Sequence, residues 1–188
     1  MNLFINTLSK EACLILFNDN RQIVDKIEWD IKGNESSTLI PQIDKLIKNN
    51  KLDYNSLGNI VVVNWPGSFT WVRTTILAIN SINYIVKKSI TELSFFDLFK
   101  IYPIIKSSSK RDCFIKKSGK SNIEILDNNE IINYLTTNNV KIISWDNNIK
   151  TDYWIELEKI DYLNIIKNIE FNNIKSANAL YIKKPNIS

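Results

Sequence analysis

The chain has 188 residues, 44% of them hydrophobic and 23% charged, which is enough apolar material for a buried core and excludes disordered and collagen-like states. It contains no histidine, which removes Ser-His-Asp and Cys-His nucleophilic machines, histidine-ligated zinc and the usual general base. The formal charge of +4 comes from 24 Lys+Arg against 20 Asp+Glu, yet only Arg21, Arg73 and Arg111 carry the guanidinium fork that reads phosphate bidentately, so the basicity is mild and lysine-borne.

The cysteines, Cys13 and Cys113, are too few for a thiolate zinc site and are expected to be buried, reduced small hydrophobes. The longest unbroken apolar run, Ala12 to Phe17, is far shorter than the roughly 20 residues a bilayer span needs, and no signal-peptide pattern opens the chain. A soluble cytoplasmic protein with no membrane attachment is expected. Asn, Ile and Lys are over-used while Gly, Ala and Arg are scarce, the mark of AT-rich coding; on this reading individual Asn and Lys residues carry little functional weight.

Leu3 to Ile5 reads as a short strand, Cys13 to Phe17 as a second, and Gln22 to Trp29 as a third after the Asn18-Asp19-Asn20 turn. Leu39, Ile40, Ile43, Leu46 and Ile47 form a helical stripe, capped by Ser36 or Ser37 and ending at Asn49-Asn50. Ile60 to Val63 is a fully buried strand broken by Asn64-Trp65-Pro66-Gly67, and a helix runs from Phe69 to about Val86. Its apolar residues cover more than one face, so more than a sheet must bury them. A short helix from Phe95 to about Tyr102 ends the first lobe, predicted as residues 1–102. The remainder, 103–188, reads as a smaller α/β lobe: a Cys113–Lys116 and Ile123–Leu126 hairpin, a Glu130–Thr136 helix and a Val140–Trp145 strand.

Catalytic chemistry is hard to place on these residues. Asp152, Glu156 and Glu158 lie close together near Trp154, but beside Lys159 in a polar stretch that reads as a solvated face. Ser68 lacks the flanking glycines and histidine of a nucleophile elbow, so Ser68 and Thr70 read as a strand-to-helix turn with an N-cap. The glycines, Gly33, Gly58, Gly67 and Gly119, never cluster as a phosphate cradle would require. The lysine pairs Lys87-Lys88, Lys116-Lys117 and Lys183-Lys184 are dispersed and lack the aromatic-basic interleaving of an RNA-binding motif.

Three segments together resemble the bacterial TsaB (YeaZ) family. Leu3 to Asn18 (LFINTLSKEACLILFN) resembles the family's opening strand-turn-strand, Ser36 to Asp44 (SSTLIPQID) its "SERLLPLID" helix, and Asn59 to Arg73 (NIVVVNWPGSFTWVR) its "AIAVGRGPGSFTGVR" segment. The PGSFT-x-VR core, Pro66, Gly67, Ser68, Phe69, Thr70, Val72 and Arg73, is the most specific part. Weaker matches follow at Thr91-Glu92-Leu93, Ser108 to Phe114, and Leu180 to Pro185.

The resemblance implies an α/β, actin-like (ASKHA, ribonuclease H-like) fold of two lobes, with a β-β-β-α-β-α first lobe and a reduced second. It implies a non-catalytic subunit without cofactor or metal, forming a heterodimer with a TsaD-like catalytic subunit. With a TsaE-like ATPase, the pair transfers threonylcarbamoyl to the adenosine next to the anticodon of tRNA, which this chain reaches only through the complex. Whether it forms a homodimer when alone is left open. The alternatives are a degenerate actin-like ATP-binding enzyme and a standalone RNA-binding module.

Departures from the family pattern favour the non-catalytic reading. Asn6, followed by Thr7, stands at the degenerate phosphate-loop position where actin-like enzymes carry an aspartate that organises magnesium and phosphate. Trp65 and Trp71 replace family glycines around PGSFT, and Glu35 replaces a common histidine. In an actin-like lobe the helices 36–49 and 69–86 pack on one side of the sheet, leaving an outer face for a similar helix pair from a homologous subunit. Leu39, Ile43, Ile76, Ile79 and Asn83 are the candidates for this four-helix contact, among which the sequence does not choose the outward ones; the alternative is that all five are internal core.

Overall fold

The computed structural model describes residues 1–9, 11–30, 35–67, 69–109, 111–138, 142–144, 154–156 and 160–179, with the backbone alone for 35, 36, 69, 142–144 and 154–156. The chain divides into two compact units, Met1–Phe95 together with the described residues from Asp161, and Phe96–Ile160.

The first unit opens with the strands β1 (Asn2–Asn6), β2 (Glu11–Phe17) and β3 (Ile23–Asp30), paired antiparallel in sequence order. Every residue of β1 is buried, whereas β3 alternates half-buried and exposed positions, as an edge strand with one wet face does. Helix α1 (Glu35–Asn49) leads to β4 (Asn59–Trp65), and helix α2 (Phe69–Val86) leads to β5 (Ser89–Ser94). Both later strands run parallel to β1, giving the order β3-β2-β1-β4-β5.

Strand β4 does not stop at Asn64 as its polar side chain suggests. Asn64 is instead the extra residue of a bulge, since Val63 pairs with Leu93 and Trp65 with Ser94, and its amide donates to the Asn178 carbonyl at 2.9 Å. Strand β5 was not legible in the sequence, because much of its length is polar and its place depends on parallel pairing with β4.

The second unit repeats the plan. Strands β6 (Ile104–Ser107), β7 (Asp112–Lys116) and β8 (Ile123–Asp127) pair antiparallel in turn; α3 (Asn128–Asn138) follows; β9 (Ile142–Ser144) lies parallel beside β6, and β10 (Trp154–Glu156) parallel beside β9. The order β8-β7-β6-β9-β10 is that of the first sheet. Ile105, Cys113, Ile115, Ile131 and Leu135 form its core. Helix α3 starts earlier than predicted because Asp127 and Glu130 make a capping box: the Asp127 carboxylate accepts from the Asn129 and Glu130 amides, and Glu130 accepts from the Asp127 amide. The predicted residues Val140, Lys141 and Trp145 lie outside the described residues.

The predicted boundary at 102/103 requires correction, because the chain returns to the first unit after Ile160. Helix α4 (Tyr162–Asn168), capped by Asp161, buries Tyr162, Ile165 and Ile166, with Ile169 buried just beyond it. The chain then runs as a strap held by polar bonds. Ile174 and Ile90 exchange backbone hydrogen bonds at 2.9 and 3.0 Å. The Asn83 amide donates to the Lys175 carbonyl at 2.8 Å, and Asn80 both donates to the Ala177 carbonyl at 2.9 Å and accepts from its N–H at 2.8 Å. Arg21, in the β2–β3 turn, donates to the Ile169 carbonyl at 3.0 Å and stacks its guanidinium 4.0 Å from the Phe171 ring centroid. Asparagines discounted as coding bias therefore hold the strap.

Asn80→Ala is expected to cost about 1–3 kcal/mol, because both backbone groups of the buried Ala177 lose their partners. Hydrogen exchange should quicken around Ala177 well before it does in β1 and β4; uniform protection would contradict this.

Candidate functional site

The site to which the sequence points is the end of β1, where Asn6, Thr7 and Ser9 are all buried. Asn6 spends its side chain internally. Its amide nitrogen donates to Ser9 Oγ at 2.7 Å and to the Tyr162 hydroxyl at 3.1 Å, and its oxygen accepts from the Leu8 N–H at 3.0 Å. Thr7 Oγ1 lies 2.7 Å from Thr75 Oγ1 of α2. Tyr162 comes from the first turn of α4, its ring edge-on to Phe4 with centroids 5.7 Å apart. The end of the first strand is thus closed by α2 and α4.

Cys13 faces Asn6 across the β1–β2 ladder. Burial first, and the nearby Glu28 carboxylate second, push its thiol up to about 12. Burial also raises the Tyr162 phenol above its ordinary range, and Cys13 adds to this. Neither group ionises at neutral pH, so neither supplies a nucleophile or a base. Cys13 and Cys113 are both buried free thiols, as the sequence implied.

Because the folded protein holds both protons above the pH at which the unfolded chain releases them, the unfolded state binds fewer protons there and alkali destabilises the fold. Stability should fall from about pH 9 toward pH 12, at up to about 1.4 kcal/mol per pH unit from Cys13, with Tyr162 adding to the loss above its ordinary value of 10.0. Denaturant titrations of Cys13→Ala should show a flatter profile over this window; an unchanged slope would contradict the assignment.

The PGSFT-x-VR segment divides between buried and exposed positions. Trp65 and Pro66 are buried at the end of β4, and a Cβ at Gly67 would lie 2.7 Å from Leu8 Cδ2, so this glycine lets the turn close on the loop after β1. Ser68 lies outside the described residues. Phe69 begins α2, Val72 is buried, Trp71 is half-buried, and Thr70 and Arg73 are exposed. Glu156 is described only as backbone of β10, and Asp152, Glu158 and the Leu180–Pro185 segment lie outside the described residues.

The five candidate interface residues require correction. Leu39, Ile43, Ile76, Ile79 and Asn83 are exposed by 2%, 0%, 5%, 0% and 5%, so all are internal to the unit. Helix α2 is covered by the sheet, by α1 and by the strap, which accounts for its wide apolar surface. Among the described side chains of the two helices, the large apolar ones left outside are Ile40 on α1 and Leu77, Tyr84 and Ile85 on α2, at 45%, 57%, 85% and 77% exposure.

Sequence reasoning missed Tyr162, although Asp161 followed by Tyr162, Ile165, Ile166 and Ile169 is an N-cap and an amphipathic stripe. It also missed Thr75, for which no sequence signal exists. No described helix is long and apolar enough to cross a membrane.

No protein-family model matches the chain, and neither does any curated protein. Among solved structures, it is similar to YeaZ from Pseudomonas aeruginosa, with 13% identity and a TM-score of 0.54, covering 67% of this chain and 66% of that one. It is also similar to an uncharacterised protein described as resembling peptidase YeaZ from Pseudomonas aeruginosa, with 12% identity, a TM-score of 0.59, and 76% and 74% coverage. The present chain therefore spans about two thirds of the first and three quarters of the second. With the same strand order in both of its units, the chain has the α/β, actin-like fold that it shares with these two structures, as the resemblance of its sequence implies.

Proposed function

We propose that the chain is a non-catalytic, TsaB-like subunit. It pairs with a TsaD-like catalytic subunit and, with a TsaE-like ATPase, supports threonylcarbamoyl transfer to the adenosine beside the anticodon of tRNA in the cytoplasm. The observation that carries this reading is the closed end of β1. Asn6 brings no charge for a magnesium ion, and its polar atoms are occupied by Ser9, Leu8 and Tyr162, so a phosphate would have to displace a buried hydrogen-bonded cluster. The neighbouring turn is filled by Trp65. A subunit that keeps the fold while filling this position is suited to shaping a partner.

Ile40, Leu77 and Ile85 are the residues to which we assign that contact. They lie on two helices that pack against each other, and their exposed apolar surface gains by being covered. Affinity purification of the tagged chain from its native cell should recover a TsaD-like protein. Recovery of none, with failure to complement loss of a TsaB protein, would overturn the proposal.

A further inference from the structure

We infer that the C-terminal end of α2 is a direct contact for single-stranded RNA, with a base stacked on Tyr84 and the flanking phosphates on Lys87, Lys88 and Lys175. These residues line a cavity of about 660 Å³ together with Asn83. That volume suits a nucleotide-sized group.

Asn83 builds the site. It is 5% exposed, donates to the Lys175 carbonyl at 2.8 Å and accepts from the Lys88 N–H at 2.7 Å, which ties the strap to the chain leaving α2. The helix ends there: the Lys87 N–H bonds the Asn83 carbonyl at 2.9 Å, and the positive φ of 51° at Lys87 turns the chain. Lysines distant in sequence are thereby held at one mouth. Lys88 Nζ reaches the Asn55 carbonyl at 2.8 Å, and none of the three lysines forms an ion pair among the described residues. Tyr84 is 85% exposed, leaving its ring faces open.

Separate ammonium groups on two chain segments suit successive phosphates of a strand. A single terminal phosphate is better served by a cradle of backbone amides, whereas the Lys87 and Lys88 N–H groups here are both taken by Asn83. An adjacent aromatic supplies stacking that any base can use. On the helical wheel Ile85 lies about 100° from Tyr84, and Leu77, which shares Tyr84's side of α2, lies seven residues back, about 10 Å along the axis, so the RNA contact sits at the C-terminal end of the surface proposed above for pairing.

The test is fluorescence-anisotropy titration of the full chain with a twelve-residue oligouridylate across a salt series. Wild type should bind with a slope of log affinity against log salt of about −2, as three phosphate contacts to a single strand imply. Lys87→Asn with Lys175→Ala should weaken binding at least tenfold and reduce the slope to about −0.7; Asn is chosen because it tolerates the positive φ. Tyr84→Ala should weaken binding about tenfold with the slope unchanged, since stacking releases no counterions. Lys100→Ala with Lys120→Ala removes the same charge elsewhere and should leave affinity within twofold. The inference is overturned if wild type does not bind, if that control pair weakens binding as much as the pocket pair, if the pocket variants bind like wild type, or if uridine monophosphate binds as tightly as the oligomer.

Discussion

Ile43→Asp is expected to unfold the protein at ambient temperature, whereas Leu77→Asp should shift its melting temperature by no more than a few degrees. Ile43 is fully buried in α1, so the new carboxylate would be stripped of water. Such a group costs several kcal/mol, besides the lost apolar burial, against a total stability of about 5–15 kcal/mol for a typical domain. Leu77 is 57% exposed on α2, and a carboxylate there stays hydrated. Circular dichroism melts of the two variants separate these outcomes. A native-like melt for Ile43→Asp would mean that this residue is not core, and the correction drawn from its burial would fail.

Leu77→Asp combined with Ile85→Asp is expected to weaken association with the TsaD-like subunit at least a hundredfold while the chain stays folded. In an interface of ordinary size, about 1,200–2,000 Å² in total, a few central apolar residues dominate the binding energy. Each buried aliphatic side chain contributes about 1.5–3 kcal/mol, and a carboxylate in its place leaves an unpaired charge, so two such changes exceed the factor proposed. Calorimetric titration of the double variant with the partner reads this directly. An unchanged affinity would show that the pairing surface lies elsewhere.

The core of the first unit was legible because β-branched and aliphatic runs leave little choice. Leu3–Ile5, Cys13–Phe17 and Ile60–Val63 lie within β1, β2 and β4, and α2 spans the predicted Phe69–Val86. The orientation of the helices was not legible to the same degree. Adjacent positions such as Leu39 and Ile40, or Ile76 and Leu77, are equally apolar, and only the packing of α1 against α2 separates buried from exposed. The strap has no hydrophobic period: asparagine side chains bonding backbone groups more than 90 residues away leave no trace in a local pattern. The site was half legible. Asn6 and the PGSFT turn stand out by their departures from a family pattern, but Tyr162, which fills the site, lies 156 residues from Asn6.

The most direct test of the account is reconstitution with the TsaD-like and TsaE-like subunits of the same genome and an ANN-decoding tRNA, supplied with an activated threonylcarbamoyl donor. Threonylcarbamoyl incorporation at the adenosine beside the anticodon is measured with and without this chain. Transfer is expected only when the chain is present, at the same rate when Cys13→Ala replaces wild type, and none from the chain alone. Transfer at an equal rate without the chain, or transfer by the chain in the absence of its partner, would contradict it.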